Sequence, residues 1–297
     1  MVELQLLETS HPSKDAKRAY ESLVAIDEQK ERLLTNLEML YNQRRIDEWQ
    51  TTFHPEGLPV LLHVGKSTPL IILSGEVGCG KTALANSIAT PLAERLVTKI
   101  ITLETPSNIR GSGMVGELSN RIAAAFKSAK AKVTKYGFGL LVIDEADDLA
   151  TSRSQNQAHH EDRAGLNVLI KEIDQLTREK SNLAVLLITN RLAVLDPAIR
   201  RRTSLHLVFE RPVGERLKLV LEYILQGTDY TSEQFNKLLK QTQRSKTPYS
   251  FSDLIQLASR QAILRALQLN QPFTLPILMD VLATLEPSPL LVEAKID

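Results

Sequence analysis

Three stretches of the chain are apolar without interruption: Leu70-Ile-Ile-Leu73, Gly139-Leu-Leu-Val-Ile143 and Leu183-Ala-Val-Leu-Leu-Ile188. Short runs without polar alternation read as strands covered on both faces, as in a parallel sheet flanked by helices. A short strand over Lys99–Leu103 and an alternating one over Ser204–Phe209 complete the set. Helical spacing fills the intervals over 82–96, 118–130 and 164–176. After Arg211-Pro212 only helices are predicted, over 214–225, 231–243, 252–269 and 274–285, the second opening on a Thr231-x-x-Gln234 capping box. Strands alternating with helices and then helices alone indicate an α/β domain followed by a helical one.

The leading segment reads differently. From Ser13 to about Trp49 there is no proline or glycine, and Leu23, Ile26, Leu33, Leu37, Leu40 and Tyr41 recur at roughly helical spacing. One or two helices are expected there, after a loose lead-in over residues 1–12. A linker over 51–67, broken by Pro55, Gly57 and Pro59, follows. The expected divisions are 1–59 for the helical segment and linker, 60–210 for the α/β domain and 211–297 for the helical one.

Composition narrows the function. Hydrophobic residues make up 43% of the 297 and charged ones 24%, the balance of a soluble globular protein. Lys and Arg total 36 against 35 Asp and Glu, so any nucleic-acid role must rest on a local patch. The single cysteine, Cys79, has no partner for an internal disulfide, which fits a reducing cytoplasm. The N-terminus carries acid where a signal peptide needs base, and no apolar run approaches 18 residues, so neither export nor membrane spanning is expected.

The first apolar run leads into Gly75-Glu-Val-Gly-Cys-Gly80-Lys81-Thr82, and then into the helix-favouring Ala83-Leu84-Ala85. Strand, glycine loop and helix start, in that order, form a phosphate cradle: a bare backbone turns its N–H groups inward, and the helix N-terminus adds partial positive charge. Lys81 is expected on the β- and γ-phosphates of ATP and the Thr82 hydroxyl on Mg²⁺. The nucleotide contacts are expected from Gly75, Glu76, Val77, Gly78, Cys79, Gly80, Lys81 and Thr82, with Leu84 in the helix beyond. The plainer alternative is a glycine turn before an ordinary helix.

The second apolar run ends in Asp144-Glu145-Ala-Asp-Asp148. Carboxylates at the C-terminal end of a buried parallel strand sit where such sheets bind ligand. Asp144 is expected to hold Mg²⁺ through water and Glu145 to polarise the attacking water; the alternative is an acidic strand cap. Asn190, after the third run, can reach both the γ-phosphate and the attacking water if its strand lies beside that of Asp144, or it caps a turn. Arg200-Arg201-Arg202 are hard to bury in one subunit; they are either offered to another subunit's phosphates or form a solvated basic cluster or a nucleic-acid patch. On composition alone, Gly113-Met114-Val115-Gly116 reads as a surface loop, and His159-His160-Glu161 as a solvated one.

Taken together, Gly75–Thr82, Leu140–Glu145, Asn190, Arg200–Arg202 and the closing helices resemble the AAA+ ATPases over roughly residues 60–285. The resemblance implies an AAA+ P-loop NTPase parallel-sheet domain followed by a small all-helical lid. It makes Asp144 and Glu145 a Walker B pair, Asn190 a sensor 1, and Arg201 and Arg202 arginine fingers completing a neighbour's site in a homo-oligomeric ring, a hexamer. The run Leu195-Asp-Pro-Ala-Ile-Arg-Arg-Arg looks most like the remodelling clade that includes katanin and spastin. Tyr249-Ser-Phe-Ser-Asp-Leu254 resembles that clade's sensor 2 helix start, with Phe251 where glycine is usual. Met114 and Val115 then match the pore loop that grips an extended polypeptide, methionine replacing the usual aromatic. Size and layout resemble the bacterial HORMA-remodelling members, which act with cyclic-oligonucleotide synthases in antiphage defence.

Three functions follow. The first is a cytoplasmic ATP-driven remodeller of a protein partner, for which the resemblance implies a HORMA-domain protein. The second is a DNA-associated ATPase of transposition or loader type, with Arg110, Lys127–Lys132 and Arg200–Arg202 lining a basic channel, against which the balanced charge argues. The third is a nucleotide-binding scaffold that turns over little, against which the intact Asp144, Glu145, Asn190 and Arg201 argue.

Overall fold

The computed structural model describes residues 4–61, 68–106, 109, 116–147 and 160–290, without the side chains of 160–162. Arg110, Met114, Val115 and His159 lie outside the described residues. The chain divides into two compact units. The first comprises Met1–Glu21, Glu28–Ser74 and Thr82–Val208; the second comprises Ser22–Asp27, Gly75–Lys81 and Phe209–Asp297.

The first unit is built on a sheet. Strands β1 (Leu7–His11), β2 (Leu70–Gly75), β3 (Ile100–Glu104), β4 (Phe138–Ile143), β5 (Leu183–Thr189) and β6 (Leu205–Phe209) lie in the order β1-β3-β4-β5-β2-β6. Strands β3, β4, β5 and β2 are parallel to their neighbours in that order. The apolar runs that fill most of β2 and β5 are explained by burial of nearly every residue. Helices α6 (Glu117–Tyr136) and α7 (His160–Glu179) share one core with the sheet, in which Ile122, Phe126, Leu169 and Ile173 meet Ile72, Ile143 and Leu187. Each such side chain contributes roughly 1.5–3 kcal/mol by leaving water.

Four expectations are corrected. Residues 1–12 are not a loose lead-in: β1 pairs antiparallel with β3, His11 opposite Ile100. The helical stretch from Ser13 divides into α1 (Lys14–Glu21), α2 (Asp27–Tyr41) and α3 (Gln43–Phe53), with Ala25 at φ +58° breaking the first from the second. The linker expected from residue 51 therefore begins inside α3. The helix over 82–96 is two, α4 (Lys81–Ser87) and α5 (Ala89–Leu96), because Pro91 has no N–H to give the Ser87 carbonyl.

Leu33, Leu34 and Leu37 of α2 are buried, and the Tyr41 hydroxyl donates to Gly139 O (2.5 Å) and accepts from Ala184 N (3.2 Å). The leading helices are thereby part of the core, satisfying backbone groups at the starts of β4 and β5.

The second unit carries α9 (Glu215–Ile224), α10 (Ser232–Thr242), α11 (Ser259–Gln268) and α12 (Leu275–Leu282). The predicted capping box is formed, Thr231 Oγ1 accepting from Gln234 N (3.2 Å) while Gln234 Oε1 accepts from Thr231 N (2.8 Å). The helix expected over 252–269 starts as a π-helix, Ser252–Ala258, before continuing as α11. Such wide turns often mark functional sites.

His11 is buried beside Thr90, its Nδ1 2.8 Å from the Thr90 hydroxyl, and burial lowers its pKa to about 4. Its folded pKa lies below the usual 6.5, so its contribution to stability is complete above 6.5 and is lost as pH falls towards 4. That loss is at most about 3 kcal/mol. In urea titrations across this range, His11→Gln should lose less stability on acidification than the parent; an equal loss would exclude His11 as the source.

Candidate functional site

The glycine loop belongs to the second unit. Gly75 has φ +124°, and a β-carbon there would lie 2.1 Å from Phe209 O. Only glycine fits that approach, which is closed by a hydrogen bond from Glu76 N to Phe209 O (2.9 Å). Gly78, at φ +71°, is also pressed, though less closely: its β-carbon would meet Ser250 Oγ at 2.9 Å and Ser252 at 3.0 Å. Ser252 N donates to Gly78 O (3.0 Å), so the first turn of the π-helix braces the loop. A β-carbon at Gly80 would stand 3.7 Å from Leu23 and Ile26. The sequence placed those two on a leading helix; nothing in their periodicity announced the loop contact.

Lys81 Nζ donates to Gly75 O (2.7 Å) and Glu76 O (2.6 Å), which holds the ammonium over the loop that precedes it. Val77 is exposed, whereas Cys79 is buried with its thiol pushed up to about 11 by that burial, so it stays protonated and inert at neutral pH. Leu84, expected among the nucleotide contacts, has no accessible surface and sits in the core. Phe251 is nearly buried, and the Arg216 guanidinium lies 5.7 Å from its ring centre while donating to Ala25 O (3.1 Å).

The acidic strand end belongs to the first unit. Thr82 Oγ1 donates to Asp144 Oδ2 (2.7 Å), and Asp144 Oδ1 accepts from Glu145 N (2.8 Å). Glu145 is exposed at φ +53°, a left-handed conformation that costs a non-glycine residue about 1–3 kcal/mol and tends to occur where function needs it. The condition set for Asn190 is met: β5 lies directly beside β4, Leu187 opposite Ile143, and Asn190 follows its C-terminal end, partly exposed. The turn is fixed by Thr189 Oγ1, which donates to Asp147 Oδ1 (3.0 Å) and accepts from Arg191 N (3.0 Å).

The basic trio follows α8 (Pro197–Arg200), whose N-cap Asp196 accepts from Ala198 N (2.7 Å). Arg202 is committed within its own chain: Nε and Nη2 fork onto Asp174 of α7 (2.7 and 3.0 Å), and Nη1 donates to Ala198 O (3.0 Å). Arg201 is exposed and has no ion pair among the described residues. The two arginines are therefore not equivalent, a distinction the sequence could not make because Asp174 lies 28 residues away.

The residues suit a magnesium nucleotide. A lone hydroxyl and a carboxylate 2.7 Å apart are hard oxygen donors of the kind Mg²⁺ takes while keeping most of its water. The glycine loop offers turned backbone and an ammonium. Among the described residues no cluster of three or more His, Cys, Asp or Glu offers a protein-built metal cage, and no helix is long and apolar enough to cross a membrane. The basic segment considered for DNA is neutralised in part, Lys130 pairing with Glu172 (3.0 Å) and Lys132 with Glu8 (2.8 Å).

Residues 71–211 match the family described as "ATPase family associated with various cellular activities (AAA)". CD-NTase-associated protein 6 of Escherichia coli (strain MS 115-1) is 38% identical over 259 residues, 84% of this chain and 83% of the relative. A solved structure of the E. coli MS115-1 HORMA:CdnC:Trip13 complex contains a chain 34% identical, with TM-score 0.91 over 98% of both chains. The structure of Rhizobiales Trip13 is 29% identical, with TM-score 0.75 over 95% of this chain and 98% of that one.

Gly78→Ala should destabilise the protein more than Gly137→Ala in denaturant titrations. Both adopt positive φ, but a β-carbon at Gly137 meets nothing within 4 Å whereas at Gly78 it meets two serines. The backbone cost common to both is about 1–2 kcal/mol; equal losses would mean that residues 250–252 do not press on the loop in solution.

Proposed function

From the premise that this chain belongs to the AAA ATPase family, we propose that it is an ATP-driven remodeller that works as a homo-oligomeric ring, a hexamer, on a HORMA-domain protein. The reading is supported most by the likeness, over nearly the whole length, to a chain of the HORMA:CdnC:Trip13 complex. A role in antiphage defence follows by the same extension, from a relative whose name ties it to CD-NTases.

In this reading Lys81 exchanges the Gly75 and Glu76 carbonyls for phosphate oxygens, and the loop N–H groups bind the remaining phosphate charge. Thr82 and Asp144 hold Mg²⁺, which supplies charge neutralisation on the phosphates when bound. Glu145 orients the attacking water and polarises it; its left-handed backbone points the carboxylate out of the strand end while Asp144 retains the adjoining N–H. Asn190 donates to the γ-phosphate and water from the neighbouring strand end. Arg201, exposed and uncommitted, is the residue offered to the next subunit, and Arg202, held by Asp174, fixes the helix turn that presents it. Residues 211–297 act as the lid, and Met114 and Val115 grip the partner's polypeptide.

Arg201→Ala should lower ATP turnover by about three powers of ten while leaving nucleotide affinity nearly intact, the expected loss for an arginine acting in trans. The measurement is steady-state turnover alongside nucleotide titration. Turnover restored by mixing Arg201→Ala with Lys81→Ala subunits would establish action between subunits, since only a mixed pair combines an intact loop with an intact arginine. Full activity in the Arg201→Ala protein alone would sink the assignment.

Met114→Ala should spare ATP turnover and abolish remodelling, read as loss of ATP-dependent conversion of a HORMA-domain protein. Purifying the Glu145→Gln form from its host and identifying what accompanies it tests the partner directly; a co-purifying DNA-bound complex without a HORMA protein would favour the transposition or loader alternative.

A further inference from the structure

Arg211 is buried, 4% exposed, and all five of its N–H groups are spoken for. Nε and Nη2 donate to Glu76 Oε2 (3.3 and 3.2 Å), Nη1 donates to Pro248 O (2.8 Å) and Ser288 O (2.7 Å), and Nη2 also donates to Pro289 O (2.8 Å). One guanidinium thus joins the glycine loop to two carbonyls near the end of the described chain. A second route runs in parallel. Asp253 accepts from Ser288 N (3.2 Å) and from Ser288 Oγ, and it also accepts from Ser250 N (2.8 Å). Ser250 is the residue against which Gly78 is pressed. Tyr249 adds a third tie, its hydroxyl donating to Leu285 O (2.7 Å).

A guanidinium so fully used has no spare donor for a ligand, and three of its five bonds go to backbone carbonyls. Its carboxylate partner is Glu76, whose own N–H is bound to Phe209 O and whose carbonyl receives Lys81 Nζ. Shifting Arg211 therefore shifts the residue from which Lys81 takes its position. We propose that Arg211 is a positioning residue that makes the geometry of the glycine loop conditional on the seating of the segment 285–289, so that this C-terminal strap sets nucleotide affinity. The proposal rests on the reading of the loop as a nucleotide site.

The test uses the full chain and a fluorescent ATP analogue. Arg211→Met should weaken binding by at least about tenfold, since it strands Glu76 beside an apolar side chain. Arg211→Lys should fall between, keeping the charge but not the fork. Ser288→Asp leaves Arg211 intact and sets a second carboxylate against Asp253, so it should unseat the strap and weaken binding in the same way. Glu76→Gln combined with Ser288→Asp should lose less than the product of the two single losses, because both act through one clamp. For Arg211→Lys and Ser288→Asp, KM for ATP should rise with kcat at saturation within about twofold.

Variants that melt at lower temperature but bind the analogue as the parent does would overturn the proposal, leaving Arg211 a purely structural clamp. Should Arg211→Met fail to fold, Ser288→Asp decides between the same two outcomes. A parent protein that does not bind the analogue at all would instead remove the nucleotide reading, and this proposal with it.

Discussion

The absence of a β-carbon at Gly75 is the constraint from which the geometry of the glycine loop descends. The backbone passes Phe209 so closely that an added carbon would stand 2.1 Å from its carbonyl oxygen, and this contact fixes where the loop leaves the strand. Glu76 is thereby anchored through its N–H, its carbonyl is aimed at Lys81, and its carboxylate is delivered to Arg211. A single steric fact thus propagates into an electrostatic arrangement without any further ordering of a flexible chain. Lys81 Nζ donates to the Gly75 and Glu76 carbonyls, which give up a cation more readily than a carboxylate would.

The acidic strand end follows a different logic. There the sheet supplies the precision: β4 and β5 run side by side in register, so the residues that follow them emerge together. Asp144 uses both oxygens, one on the Thr82 hydroxyl and one on the next backbone N–H, and Glu145 is left turned into a conformation its side chain disfavours. The two carboxylates are adjacent in sequence yet differ in environment, Asp144 bonded through both oxygens and Glu145 exposed.

Much of this was legible in the residues. Buried parallel strands announce themselves by unbroken apolar runs, as in Leu70–Leu73 and Leu183–Ile188, and the glycine loop by spacing that chance rarely supplies. What stayed hidden was of two kinds. Leu7-Glu-Thr-Ser-His11 lies at a sheet edge, mostly exposed, and so lacks the alternation that would identify a strand. Leu23 and Ile26 fit a helical stripe, and no proline or glycine warns that Ala25 turns the chain. The inequality of Arg201 and Arg202, and the clamp at Arg211, depend on partners 28 to 135 residues distant, which no local pattern encodes.

The phenol of Tyr41 bears on where this protein can be cut. The family-matched region spans residues 71–211. A fragment trimmed to those limits would uncover the carbonyl of Gly139 and the N–H of Ala184, lose the buried Leu33, Leu34 and Leu37 of α2, and also lose the edge strand that covers β3. An unpaired strand edge and a core surface stripped of its covering helix invite association between copies. The region matched to the family is thus smaller than the folded unit, whose strand starts are satisfied by hydrogen bonds from a residue far upstream of the glycine loop.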